Sequence, residues 1–125
     1  MTDPVTFSKR LLPSQDENGT IEAINALIDA RERPGFIYVY AANCGACEQA
    51  IGKVDQLAQE NEDIVFCKID ATAVPEVWDA FALASVPACL IVGNGGALSE
   101  FPGALKIDAM RARIANARTA MADAA

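Results

Sequence analysis

Residues 36–42 read Phe-Ile-Tyr-Val-Tyr-Ala-Ala, a run without a single charge and rich in β-branched and aromatic side chains. A segment that is apolar at every position, rather than at alternate ones, suits a strand covered on both faces, and such strands occupy the centre of parallel sheets with helices above and below. Its flanks agree. Upstream, Ile21, Ile24, Leu27 and Ile28 recur at helical spacing, Thr20 or Asn18 can cap their start, and Pro34-Gly35 stops a helix expected to run to about Arg33. Downstream, Ala50, Ile51, Val54, Leu57 and Ala58 form an apolar stripe against Glu48, Gln49, Lys53, Asp55 and Gln59, predicting a helix from about Cys44 to about Glu60 with Asn43 as its cap.

The same alternation continues. Ile64–Asp70 is a second buried-type strand, and Val74–Leu83 is a short helix whose apolar side carries Val77, Trp78 and Phe81. Ala88–Val92 is a third strand, Gly93-Asn94-Gly95-Gly96 is a hairpin turn of residues that tolerate positive φ, and Ala97–Phe101 is the antiparallel return. A last helix from about Lys106 to Ala122 places Ile107, Met110, Ile114, Ala117 and Met121 on one side. Thr6–Leu12, bracketed by Pro4 and Pro13, reads as a weak edge strand. The order is β-α-β-α-β-α-β-β-α, an α/β fold with a central mixed sheet and helices on both faces. At 125 residues the chain is expected to be one domain, able to bury roughly two thirds of its extended surface.

Composition removes several classes of function. Seventeen acidic residues against ten basic ones give a net charge of −7, and the basic residues form no compact patch, so nucleic acid is not an expected partner. With no histidine, imidazole-based triads, imidazole zinc sites and histidine-ligated haem are excluded. Residues 1–18 contain no apolar run of secretory or membrane-spanning length, which makes the cytoplasm the expected location and a membrane partner unexpected. Four cysteines, at 44, 47, 67 and 89, are too few and too unevenly spaced to serve as a disulfide scaffold.

Cys44 and Cys47 need their own account. They lie one helical turn apart in Cys44-Gly45-Ala46-Cys47, at the junction of a buried strand and a helix, where two sulfurs can close a small disulfide without unfolding anything. Unpaired N–H groups and the positive end of the helix dipole favour a thiolate on Cys44, the expected nucleophile. Cys47, one turn further in, is expected to be more buried, less ionised, and to resolve the mixed disulfide that Cys44 forms with a substrate. Two structural thiols, or part of a zinc or iron–sulfur site, are the alternatives; with no histidine, a metal would draw on Cys67, Cys89 or carboxylates from other strands. Neither a metal nor a cofactor is expected. Cys67 and Cys89 fall in buried strands and read as small core hydrophobes, with Cys89 two residues from Pro87 and the nearer to the site.

The strand ending in Asn43-Cys44-Gly45-Ala46-Cys47, the Val86-Pro87 step before Ala88–Val92, the Gly93-Asn94-Gly95 turn and the later Phe101-Pro102-Gly103-Ala104 occur in the order and spacing of the thioredoxin family, and over nearly its whole length the chain resembles that family. The resemblance implies a thioredoxin fold, with Cys44 attacking, Cys47 resolving and Pro87 a cis-proline beside the pair. A cis peptide bond is nearly confined to X-Pro, which suits the tight approach of a loop to this motif. Val86 would then offer backbone hydrogen bonds to an extended substrate segment. Three positions depart from the family pattern. Asn43 stands where a Trp is usual, removing an aromatic contact surface. Ala46 stands where a Pro is usual, which is expected to alter the reduction potential. Tyr38 stands where a buried Asp is thought to take the proton of the second thiol, and a phenol is a poor replacement as a base. Lys68 matches the lysine that accompanies that Asp, and it reads either as a residue that has lost its partner or as a solvated strand-end lysine. Without that Asp, resolution by Cys47 is expected to be slower or to use water or Glu48; Glu48, next to Cys47, otherwise reads as a solvated helix face.

The expected function is a cytoplasmic thiol–disulfide oxidoreductase that reduces disulfide-containing protein substrates and is recharged by an external reductase or dithiol donor. The alternative is a redox-inactive adaptor or chaperone-like protein that holds an extended peptide beside Pro87. A glutathione-using protein fits less well, since no basic cluster near the motif would hold carboxylates. A monomer is the default.

Overall fold

A computed structural model of the chain describes residues 24–73 and 75–124. Within them, helix α1 (24–29) is followed by β1 (Gly35–Tyr40), α2 (Gly45–Glu60), β2 (Val65–Asp70), α3 (Glu76–Ala80), β3 (Ala88–Gly93), β4 (Gly96–Pro102) and α4 (Ile107–Ala124). The expected strand at Thr6–Leu12, the residues before 24 in the first helix and the capping roles of Asn18 and Thr20 lie outside the described residues.

The four strands form one mixed sheet in the order β2-β1-β3-β4. β1 pairs parallel with β2 and antiparallel with β3, and β3 pairs antiparallel with β4. The charge-free run is thus the inner strand it reads as: Phe36, Ile37, Tyr38 and Val39 are each no more than 1% exposed. Alternation along the strands divides the core in two. Phe36, Tyr38, Phe66, Cys89 and Ile91 face α2 and α4, packing on Ala50, Val54, Leu57, Met110, Ile114 and Ala117. Ile37, Val39, Cys67, Ile69, Leu90 and Val92 face the other way, onto Ile24, Leu27 and Val77. Helices therefore cover both faces, as expected, and Cys67 and Cys89 lie on opposite sides of the sheet.

Tertiary contacts move several element ends from where local pattern puts them. α1 stops at residue 29 rather than near Arg33 because the β3–β4 turn takes over its end. The Asn94 N–H donates to the Ala30 carbonyl and the Gly95 N–H to the Ile28 carbonyl, both at 2.8 Å, so carbonyls at the helix end are satisfied without another turn. Asn94 and Gly95 adopt φ of 53° and 88°, the paired positive values of a tight two-residue hairpin. α3 is confined to Glu76–Ala80, shorter than the apolar pattern over Val74–Leu83, with Ala82 in a left-handed conformation at φ 51° beyond its end. On the α2/α4 side, Arg111 bridges to Glu60 at 2.7 Å and Arg118 to Asp63 at 2.6 Å. Both pairs are exposed to solvent screening and serve chiefly to fix orientation.

Candidate active site

The C-terminal ends of β1 and β2 and the N-terminus of α2 meet at one end of the sheet. Ala71 N–H donates to the Tyr40 carbonyl at 2.7 Å, Ala42 N–H to Thr72 Oγ1 at 3.2 Å, and Thr72 N–H to Asp70 Oδ1 at 2.8 Å, so the loops leaving the two strands hold each other. Asn43 then turns the chain with φ 58°, a left-handed value that Asn accepts more readily than most residues. It does not cap the helix. The N-cap is Cys44, in extended conformation at φ −116° and ψ 101°, and its Sγ accepts the Cys47 N–H at 3.2 Å. The sulfur, three residues before the amide it satisfies, takes the place that a Ser or Asp oxygen usually fills, which moves the cap one residue past Asn43.

Cys44 and Cys47 are joined as a disulfide with Cα atoms 5.2 Å apart. Cys44 is half-buried and Cys47 is 5% exposed, so the outer sulfur belongs to the first cysteine. Gly45 and Ala46 are exposed, and a Cβ at Gly45 would meet nothing within 4 Å. The motif is presented on an open surface.

Beside it lies a pocket of about 300 Å³ whose wall includes both cysteines, Tyr38, Tyr40, Asn43, Glu48, Ile51 and Lys68. Tyr38 and Tyr40 stack nearly parallel, with ring centroids 6.0 Å apart. The Tyr38 hydroxyl donates to the Cys47 carbonyl at 2.6 Å in a buried setting. Burial first, and then the neighbouring Cys89, Tyr40 and Asp55, push the Tyr38 phenol well above its ordinary value, so it stays protonated and able to donate. Lys68 pairs in register with Tyr38 on the adjacent strand, and Asp55 approaches from α2; burial raises the Asp55 carboxyl while Lys68 opposes the shift.

The Val86–Pro87 peptide bond is cis. Neither residue lines the pocket of the two tyrosines; they belong to the loop entering β3. That loop is held by Gly103, whose N–H donates to the Pro87 carbonyl at 3.0 Å. A Cβ on Gly103 would stand 2.7 Å from Pro87 Cγ and 3.1 Å from Ala50 Cβ, so Gly103 is wedged between Pro87 and the helix residue three beyond Cys47.

A family model described as thioredoxin matches residues 18–116. The chain belongs to the thioredoxin family. It is 38% identical over 83 residues to putative thioredoxin 2 of Streptomyces coelicolor, a stretch covering 66% of this chain and 62% of that one. It is also 28% identical over 96 residues to thioredoxin C-3 of Corynebacterium nephridii, covering 77% and 66%. The match thus spans about two thirds or less of the length of these curated relatives. Among solved structures, a mutant thioredoxin of Halobacterium salinarum superposes with a TM-score of 0.71 at 20% identity, over 94% of this chain and 96% of that one. The oxidised mitochondrial thioredoxin 3 of Saccharomyces cerevisiae gives 0.68 at 22%, over 77% and 89%. At these identities the structural likeness carries the fold alone.

For this thioredoxin-family chain, six residues singled out from sequence, Tyr38, Asn43, Cys44, Cys47, Glu48 and Lys68, line one pocket. Gly45 and Ala46 form the exposed turn between the cysteines. Sequence reasoning passed over Gly103 as a residue of the site and assigned nothing to Thr72. For Gly103 the available signal was its place directly after the β4 proline in Phe-Pro-Gly-Ala; for Thr72 there was none, because a hydroxyl after a strand is common in any loop. Among the described residues no group of three or more Cys, Asp or Glu is arranged to hold a metal ion.

Proposed function

We propose that the protein is a thiol–disulfide oxidoreductase that reduces protein disulfides. One observation carries this reading: the Cys44–Cys47 pair closes a disulfide across the exposed first turn of α2, with the outer sulfur on Cys44 and the inner one on Cys47. In the dithiol form, the Cys47 N–H aimed at Cys44 Sγ and the positive end of a 16-residue helix favour the Cys44 thiolate. That thiolate attacks one sulfur of a substrate disulfide, forming a mixed disulfide and releasing the other substrate sulfur as a thiolate. Cys47 then loses its proton and attacks Cys44 Sγ; the Cys44–Cys47 bond forms, the second substrate sulfur leaves, and two electrons have passed to the substrate. An external reductase or dithiol donor returns the pair to the dithiol.

In this reading Val86, next to Pro87, offers its backbone to an extended substrate segment. The chain works as a single domain in the cytoplasm, where reductant is at hand, and contributes to electron transfer for redox homeostasis. Trapping tests the roles of the two thiols. With a disulfide-bonded protein substrate, Cys47→Ser should accumulate a mixed disulfide seen by intact mass, and Cys44→Ser should accumulate none. Equal adducts from both variants would overturn the assignment, and the absence of adduct and of turnover would leave the peptide-holding adaptor as the better account.

A further inference from the structure

At the place where the family resemblance leads one to expect a proton acceptor, this chain has a donor already committed to the backbone. β1 is an inner strand of the sheet and Tyr38 is 1% exposed, so the phenol ring is fixed by the core on which α2 also packs. Its hydroxyl reaches across that interface to the carbonyl of the resolving cysteine at 2.6 Å. Cys47 is the third residue of α2, in the turn whose amides are the unpaired ones of a helix N-terminus; within that turn the Cys47 N–H donates to Cys44 Sγ and the Glu48 N–H to the Cys44 carbonyl, whereas the Tyr38 bond ties it to the sheet.

We propose that Tyr38 is a positioning residue for disulfide closure: through its hydrogen bond to the Cys47 carbonyl it ties the first turn of α2 to the inner strand and holds the Cys47 sulfur within bonding reach of Cys44, without itself carrying a proton. The proposal rests on the disulfide-exchange reading above. Its physical content is effective concentration, since two sulfurs on a fixed turn close a disulfide more favourably than the same sulfurs on a turn that frays. The proton of Cys47 leaves to water, for which the adjoining pocket is the path. Groups around the phenol are Tyr40 on its own strand, Lys68 on β2, Cys89 on β3 and Asp55 on α2, with Glu48 on the pocket wall.

Tyr38→Phe keeps the ring and removes the donor. One buried hydrogen bond is worth about fivefold in an equilibrium. The equilibrium constant for closing the disulfide should therefore fall about fivefold, moving the reduction potential about 20 mV positive in glutathione buffers scored by alkylation and mass. Release of a Cys44-linked mixed disulfide should slow by a similar factor, while the first attack by Cys44 is unchanged. A purely structural role predicts something else: equal loss of stability in the oxidised and reduced forms, and no movement of the potential. The pH profile of the resolving step should keep its shape in Tyr38→Phe, and loss of an ionisation from it would make Tyr38 a proton carrier and overturn the proposal.

Should Tyr38→Phe fail to fold, 3-fluorotyrosine at position 38 retains the shape with a stronger donor and should move the potential the opposite way; an unmoved potential there refutes the proposal equally. The two layers of inference separate in the same titration. If the unsubstituted protein shows no reversible transition at Cys44 and Cys47, the oxidoreductase reading fails and positioning fails with it. A transition that is present, and is the same in the substituted protein, sinks only the role of Tyr38.

Discussion

Gly103→Ala should unsettle the site from the far side of α2. Gly103 is not a glycine for conformational reasons, since its φ lies outside the positive range; it is a glycine because of what stands next to it. The added Cβ would lie 2.7 and 2.8 Å from Cγ and Cβ of Pro87 and 3.1 Å from Cβ of Ala50. Carbon atoms are comfortable at about 3.5–4.0 Å, so the proline ring must retreat by about 0.8 Å or more, and Ala50 behind prevents the glycine from moving instead. Overpacking of this kind costs about 1–3 kcal/mol, offset by about 0.4–1 kcal/mol from the stiffer unfolded chain, for a net loss near 1–2 kcal/mol. In urea, with a slope of about 2 kcal/mol per molar, the midpoint should fall by about 0.5–1 M. Gly45→Ala is the matched control at the other border of the site. Its Cβ would meet nothing within 4 Å, and at the start of a helix it should be neutral or stabilise by about 0.4–1 kcal/mol. Equal midpoints for the two variants would refute the claim that close approach to Pro87 is what requires glycine at 103.

In the native dithiol protein, Cys67 and Cys89 should resist iodoacetamide at pH 8 while Cys44 reacts, because burial pushes both thiols up to about 12; peptide mass spectrometry showing either labelled as fast as Cys44 would contradict their burial. Two carboxyls should have opposite effects on the pH dependence of stability. The Arg118 hydrogen bond holds Asp63 below its usual value, so its stabilisation is present above about pH 4 and is lost as pH falls through the folded value; Asp63→Asn should flatten the acid limb of a series of thermal melts. Burial raises Asp55, whose charging in the fold costs stability as pH climbs above about 4, so Asp55→Asn should gain on the unsubstituted protein between pH 4 and pH 7, and a loss over that interval would mean that the Lys68 attraction dominates.

What the sequence made legible is what local pattern encodes. β1 was readable from its lack of charge, and α2 and α4 from apolar residues at helical spacing: Met110, Ile114, Ala117 and Met121 are all 3% exposed or less. The β3–β4 hairpin was readable from Asn94-Gly95, which needs two positive φ values and has them. The end of α1 was not readable, because hydrogen bonds from Asn94 and Gly95, more than sixty residues away, satisfy the carbonyls at 28 and 30. Cys44 displaced Asn43 as the cap for a related reason: propensity ranks side-chain oxygens first, whereas here a sulfur already placed over the turn receives the amide.

The site divides along the same line. Cys44, Cys47, Pro87 and the polar residues around them could be found because side chains leave a mark in sequence. A backbone acceptor leaves none. From sequence alone, Tyr38 could be described only by what it lacks, a carboxylate able to take a proton, and the natural inference was a resolving step that is slower or uses water or Glu48 instead. The structure shows the same residue supplying a hydrogen bond that no carboxylate could donate in its ionised form, to the carbonyl of the cysteine that must close the disulfide. On the positioning role proposed for Tyr38, exchanging an acceptor for a donor at this position moves the demand from proton transfer to geometry. If closure in this chain is limited by where Cys47 sits rather than by how readily it ionises, the donor at position 38 is the more useful group. Departures from a family's pattern are therefore better judged by the partner the new side chain finds than by the chemistry the old one performed.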